Sequence, residues 1–169
     1  ERDFDWRVIA LDDQGAVRWD ARLDRTPFDL ATAVAVTADG GAIVAGTSER
    51  AGRDVRVARF DATGGRVWER VLGGAGRDTI WGIAVTPAGP VLAGSTGSSG
   101  AGSQDLWVVG LDPAGATRFE RTHGGALWDR GTAIHPAADG GFWVAGYTTS
   151  TGAGFEDGWI LKLDAMGRR

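Results

Sequence analysis

Apolar residues in this chain fall in short runs, such as Ala42-Ile-Val-Ala45, Val91-Leu-Ala93 and Leu106-Trp-Val-Val109, each bounded by glycine or aspartate. No segment keeps apolar residues at i, i+3, i+4 and i+7, so the pattern predicts strands and no helix. Where a run is apolar at both parities, as in Leu106 and Val108 against Trp107, Val109 and Leu111, the sheet is expected to be covered on both faces. A simple sandwich would alternate more cleanly. The expected fold class is all-β.

The runs recur. Asp5-Trp-Arg-Val-Ile-Ala-Leu-Asp-Asp-Gln-Gly15 is followed by Trp19, Asp54-Val-Arg-Val-Ala-Arg-Phe-Asp-Ala-Thr-Gly64 by Trp68, and Asp105-Leu-Trp-Val-Val-Gly-Leu-Asp-Pro-Ala-Gly115 by Phe119. A fourth copy runs Asp157-Gly-Trp-Ile-Leu-Lys-Leu-Asp-Ala-Met-Gly167. The leading aspartates are separated by 49, 51 and 52 residues. A period of this size marks a repeat architecture, with the length differences absorbed in loops. Between these copies a second block recurs: Asp39-Gly-Gly-Ala-Ile-Val-Ala-Gly46, Ala88-Gly-Pro-Val-Leu-Ala-Gly94 and Asp139-Gly-Gly-Phe-Trp-Val-Ala-Gly146.

Each repeat therefore predicts four antiparallel strands, A to D. In the middle repeat they fall at about 80–86, 90–96, 105–112 and 116–122. Strand B ends in Ala-Gly in every copy, which suits close approach of another backbone. Strand D sets a charge beside its aromatic (Trp19-Asp20, Trp68-Glu69, Phe119-Glu120), as an outer edge strand should to resist stray pairing. In chain order the strands read C-D, A-B-C-D, A-B-C-D, A-B-C.

Composition changes this picture little. Among 169 residues, 43% are hydrophobic and 24% charged, ordinary for a globular domain. No apolar stretch approaches the roughly 20 residues of a membrane-spanning helix, and no secretory leader is recognisable. The net charge of −4, with arginines interleaved among acids, argues against a nucleic-acid partner. Zero cysteines excludes disulfides and thiolate chemistry. The 28 glycines follow the long repeat and not the three-residue period of collagen.

The segment Asp61-Ala-Thr-Gly64-Gly-Arg-Val-Trp68 resembles the tryptophan-docking motif of bacterial β-propeller repeats related to quinoprotein blades, in which Asp, Gly and Trp lock neighbouring sheets together. Asp12 to Trp19 repeats the motif, and Asp112 to Phe119 repeats it with Phe in place of Trp. The resemblance implies a propeller of four-stranded blades, about three per chain. It makes 1–169 one partial domain, with repeats at about 5–53, 54–104 and 105–156 and an incomplete one at 157–169. It also implies a periplasmic or secreted bacterial protein. Three blades do not close a ring of the usual four to eight. The chain is then a fragment of a longer propeller, or two copies complete one ring as a six-bladed homodimer. Residues matching a quinoprotein's Ca²⁺–quinone site are absent, so no cofactor is expected.

The loops from D to A and from B to C are expected on one rim. Asp29, Asp78 and Asp129 recur there, as do Asp5, Asp54, Asp105 and Asp157 at the start of strand C. They read either as a carboxylate ring for Ca²⁺ or a cationic ligand, or as acceptors of turn N–H groups. The Asp-x-x-Gly corners lack the alternating ligands and distal Glu of a calcium loop and read as tight turns.

Features that differ between repeats are the ones able to carry specificity. These are the B–C loops Ser48–Arg53, Thr96–Gln104 and Thr149–Glu156, the latter with Phe155, together with Arg77, Trp81, Trp128 and Arg130. Exposed Trp beside Arg suits a protein or glycan partner, although the same tryptophans would serve to pack between sheets. His123 and His135 stand in different strands with no supporting acid or nucleophile, and read as packed or solvated. The expected function is a non-catalytic binding module. The alternatives are a segment of a quinoprotein-like or lyase-like propeller enzyme, or a self-assembling structural array.

Overall fold

A computed structural model describes residues 6–23, 29–48 and 54–169. Among them are thirteen strands and no helix, in four antiparallel sheets whose neighbours in space are neighbours in sequence. The first sheet pairs β1 (Trp6–Leu11) with β2 (Val17–Leu23). The second runs β3 (Asp29–Val36), β4 (Ala42–Ser48), β5 (Asp54–Phe60) and β6 (Arg66–Leu72); the third runs β7 (Asp78–Thr86), β8 (Gly89–Thr96), β9 (Asp105–Leu111) and β10 (Thr117–His123). The fourth comprises β11 (Asp129–Pro136), β12 (Phe142–Thr148) and β13 (Asp157–Leu163). This is the strand order expected from the repeat, with β7 beginning two residues earlier than the apolar pattern suggested because Asp78 both caps the preceding turn and opens the ladder. No ring closes among the described residues, and none of their elements is a helix long and apolar enough to cross a membrane.

Each C–D corner is a tight turn stabilised by its own aspartate. Asp61 Oδ1 accepts the N–H of Thr63 at 2.8 Å and of Gly65 at 2.9 Å, and Asp12, Asp112 and Asp164 do the same in their corners. The glycine that follows is left-handed in all four, φ +82 at Gly15 and +84 at Gly115 for example, which is the backbone a hairpin with a glycine bulge requires. Hydrogen bonds hold the Asp61 and Asp164 carboxyls below their ordinary range: for Asp61 that of the Thr63 hydroxyl first, then those of the Thr63 and Gly65 N–H groups, and for Asp164 that of the Arg168 N–H first.

The aromatic of strand D docks on the corner of the following sheet. A side-chain methyl added at Gly64 would lie 2.9 Å from the Trp19 ring, at Gly115 2.8 Å from Trp68, and at Gly167 2.8 Å from Phe119. Trp68 Nε1 also donates to the Pro113 carbonyl at 2.9 Å, and Arg70 Nε donates to that of Gly115 at 3.1 Å.

The core lies between sheets. Ile43 and Val57 of the second sheet meet Leu92, Val109 and Leu111 of the third. Val91 and Val108 of the third meet Val144, Leu161 and Leu163 of the fourth. Trp6 of the first meets Val44, Ala58 and Phe60 of the second. Every interface thus joins a leading face of one sheet to a receiving face of the next, burying apolar side chains on both sides of the inner sheets.

Within a sheet, strand A carries a bulge, between Ala31 and Ala33, Ile80 and Gly82, and Gly131 and Ala133. Opposite it lies the glycine that ends the Ala-Gly pair of strand B. A methyl at Gly46, Gly94 or Gly146 would overlap the carbonyl oxygen of Leu30, Thr79 or Arg130 respectively. The close approach read from the sequence is therefore real, and the neighbour is strand A of the same sheet.

Candidate functional site

Of the repeated rim aspartates, Asp78, Asp105, Asp129 and Asp157 cap turns. Asp78 Oδ2 accepts from Gly74 N at 3.0 Å and Ser98 Oγ at 2.7 Å, and Asp129 Oδ2 from Gly125 N at 2.9 Å and Ser150 Oγ at 2.7 Å. Both residues are fully buried, and the second oxygen of each has no hydrogen-bond partner among the described residues. Asp105 Oδ2 accepts from Ala101 N and Gly102 N, and Asp157 Oδ2 from Gly154 N. Asp5 and the 49–53 part of the first B–C loop lie outside the described residues, as does the side chain of Asp29, with which β3 begins. Among the described residues no group of three or more His, Asp or Glu is assembled to hold a metal.

Asp54 sits close to Asp78: a methyl at Gly73 would lie 3.2 Å from Asp54 Oδ1 and also overlap Asp78 Oδ2. Burial, and then the Asp78 charge, push the Asp54 carboxyl above its ordinary value. The folded state therefore binds its proton more tightly than the unfolded chain does. This contribution to stability is full below the ordinary carboxylate range and is lost as pH rises through the elevated folded value. Asp54→Asn is expected to raise the thermal midpoint at pH 7 and to give no gain at the acid end, as read from unfolding curves across pH.

The non-repeated residues behave differently. Trp128 and Phe155 are 45% and 88% exposed, and with Leu127, Tyr147, Thr149 and Glu156 they line a cleft of about 530 Å³. It forms because the loop entering β11 is zipped to the loop leaving β12. Thr149 N donates to the Trp128 carbonyl at 2.8 Å, Trp128 N to Thr149 Oγ1 at 2.9 Å, and Leu127 N to Ser150 Oγ at 3.0 Å. The Arg130 guanidinium lies 5.1 Å from the Trp128 ring centre and 5.8 Å from that of Tyr147, within cation–π range of both. The planar cation thereby fixes the orientation of two aromatic walls.

Of the residues singled out from sequence, Trp128, Arg130 and Phe155 come together. Arg77 occupies the position of Trp128 one repeat earlier and is exposed, its carbonyl accepting from Gly97 N and Gln104 Nε2. Trp81 stands at the β7 bulge, exposed and apart from the cleft. Neither Trp81 nor Trp128 is buried between sheets. His123 Nε2 lies 2.9 Å from the Gly167 carbonyl, on the docking corner of the fourth sheet, while His135 is exposed on β11. The histidines thus serve two different sheets.

Leu127 and Tyr147 were not picked out from sequence. The signal was present for Tyr147, which replaces Thr47 and Ser95 of the other repeats. Its place near the end of β12, a strand of the repeated block and outside the variable loop, hid it. No protein-family model matches this chain, and no curated protein matches it significantly.

Proposed function

We propose that the chain is part of a bacterial, extracytoplasmic β-propeller and acts as a non-catalytic module that binds a protein or carbohydrate partner through one loop rim. The Trp128–Tyr147–Phe155 cleft carries this reading. It is concave and mostly apolar, with three aromatic residues and with Glu156 and Thr149 as polar groups at its wall, the composition of a pre-formed recognition site. Tryptophan and tyrosine supply large contact area with few rotors to freeze, and aromatic residues dominate binding hot spots. Docking of each aromatic on the next corner supports the propeller, because it sets every sheet on its neighbour in the same way.

The test is a panel of oligosaccharides and extracellular proteins titrated against the chain, with tryptophan emission as readout. For whichever partner binds, Trp128→Ala is expected to weaken affinity tenfold or more, about 1.4 kcal/mol or above, with an unchanged unfolding midpoint. Arg77→Ala, one repeat away, should leave affinity as it was. Equal losses in the two variants would remove the cleft from the interface.

A further inference from the structure

Carboxylates from neighbouring sheets meet at both inner junctions. Asp54 opens β5 of the second sheet and Asp78 opens β7 of the third. They converge on Gly73, where a methyl would lie 3.2 Å from Asp54 Oδ1 and overlap Asp78 Oδ2. Asp105 and Asp129 converge in the same way on Gly124. The two pairs differ in what else holds them. Asp105 Oδ2 accepts the N–H groups of Ala101 and Gly102, at 2.9 and 3.1 Å. Asp54 Oδ1 is sealed from solvent with no partner among the described residues, and so is Asp78 Oδ1. One junction thus encloses two acceptor oxygens and no donor for them. Nor does a cation offset the pair. Ser48, opposite Asp54 on β4, is uncharged, and Leu72, opposite Val55 on β6, is apolar. Asp78 on β7 is the one charged group among the described residues whose field reaches Asp54.

We propose that Asp54 and Asp78 share a proton, forming a pH-operated latch between the second and third sheets that grips the rim at low pH and releases it as pH rises. A carboxylic acid donates as well as accepts. One proton taken up from solvent therefore gives the pair the donor it lacks and removes one of its two charges. Two carboxylates in one site resist ionising together, and burial and the Asp78 charge push the Asp54 carboxyl above its ordinary value. The latch reaches the rim through Asp78, whose Oδ2 holds Gly74 N of the D–A turn and Ser98 Oγ of the B–C loop. Returning the proton to solvent sets two negative charges against each other where both loops are anchored. The Trp128 cleft lies in the fourth sheet, so failure of the latch would leave that reading untouched.

The experiment is an NMR titration of the chain from about pH 3 to about pH 8, following the aspartate side-chain carboxyl carbons and the backbone amides. The Asp54 signal is assigned by its loss in Asp54→Asn. In wild type it is expected to titrate above the ordinary carboxylate value, with the Gly74 and Ser98 amides moving at the same midpoint. Asp54→Asn should abolish the movement of both amides at that midpoint and leave Gly125, which bonds to Asp129 in the other pair, as it was. Asp78→Asn should return the Asp54 midpoint toward its ordinary value, with circular dichroism checking that this variant keeps its fold. An Asp54 carboxyl that titrates at or below its ordinary value would overturn the proposal. So would Gly74 and Ser98 amides that ignore its midpoint, or a folded Asp78→Asn in which that midpoint has not moved. If Asp78→Asn does not fold, the comparison of wild type with Asp54→Asn decides.

Discussion

Gly94→Ala is expected to cost about 4 kcal/mol or more, a large part of the 5–15 kcal/mol that holds a domain folded. The cause is backbone and not conformational freedom. Gly94 has no left-handed φ, so alanine is locally acceptable there. Its methyl would enter the space of the Thr79 carbonyl oxygen, and the Ile80 Cα lies 2.8 Å away. Strand A could retreat only by giving up its pairing with β8 at the bulge. Gly15→Ala is the control. Gly15 is left-handed at φ +82 but has open space around it, so the change should cost only the strain of that conformation, about 1 kcal/mol. Urea unfolding of the two variants measures the difference. If Gly94→Ala lay within 1 kcal/mol of wild type, the close approach of strands A and B would not be what demands glycine.

Trp68→Ala is expected to cost about 3–5 kcal/mol, the usual loss on truncating a large buried aromatic. The ring is only 8% exposed and fills the gap over Gly115, and its Nε1 supplies the hydrogen bond to Pro113. Trp68→Phe should lose little more than that bond, about 1 kcal/mol, because the next repeat already uses Phe119 in the same role against Gly167. The order of stabilities, wild type above Phe well above Ala, is read from urea midpoints at constant slope. A loss below about 0.5 kcal/mol for alanine would mean that the docking contact carries no energy.

Much of this architecture was legible because the repeat supplies internal controls. The Asp-x-x-Gly corners, the B-strand glycines and the D-strand aromatics each occur at least three times, and each occurrence folds alike. The A-strand bulges were not legible. The bulged residues, Thr32, Trp81 and Thr132, share no chemistry that sets them apart from an ordinary strand position, and the bulge is dictated by the partner strand. Cross-strand compensation was missed for a related reason. Arg59 pairs with Asp39 at 2.8 Å and Lys162 with Asp139 at 2.6 Å, while the middle repeat has Gly110 and Ala88 at those places. A methyl at Gly110 would collide with the Phe119 ring, so both members of the ion pair are absent together. Such pairs lie twenty or more residues apart, and register is needed to see them.

The candidate cleft was half legible. Trp128, Arg130 and the loop Thr149–Glu156 with Phe155 stood out as departures from the repeat, and the structure adds Leu127 and Tyr147, which reach the same cleft from a loop and a strand end. Among the recurring carboxylates, Asp78 and Asp129 each serve a turn through one oxygen.

The forward docking of each aromatic has a consequence for biosynthesis. Trp68 bonds to a carbonyl 45 residues further along the chain, so the ribosome makes the ring before it makes the corner that receives it. At elongation rates of about 5–20 residues per second, the aromatic waits on the order of a few seconds for its slot. Throughout that delay β6 is the exposed margin of a finished sheet, and Arg66, Glu69 and Arg70 along it are what discourage a neighbouring nascent chain from adding a strand there. The array is thus built in one direction, each sheet remaining unsealed until its successor emerges.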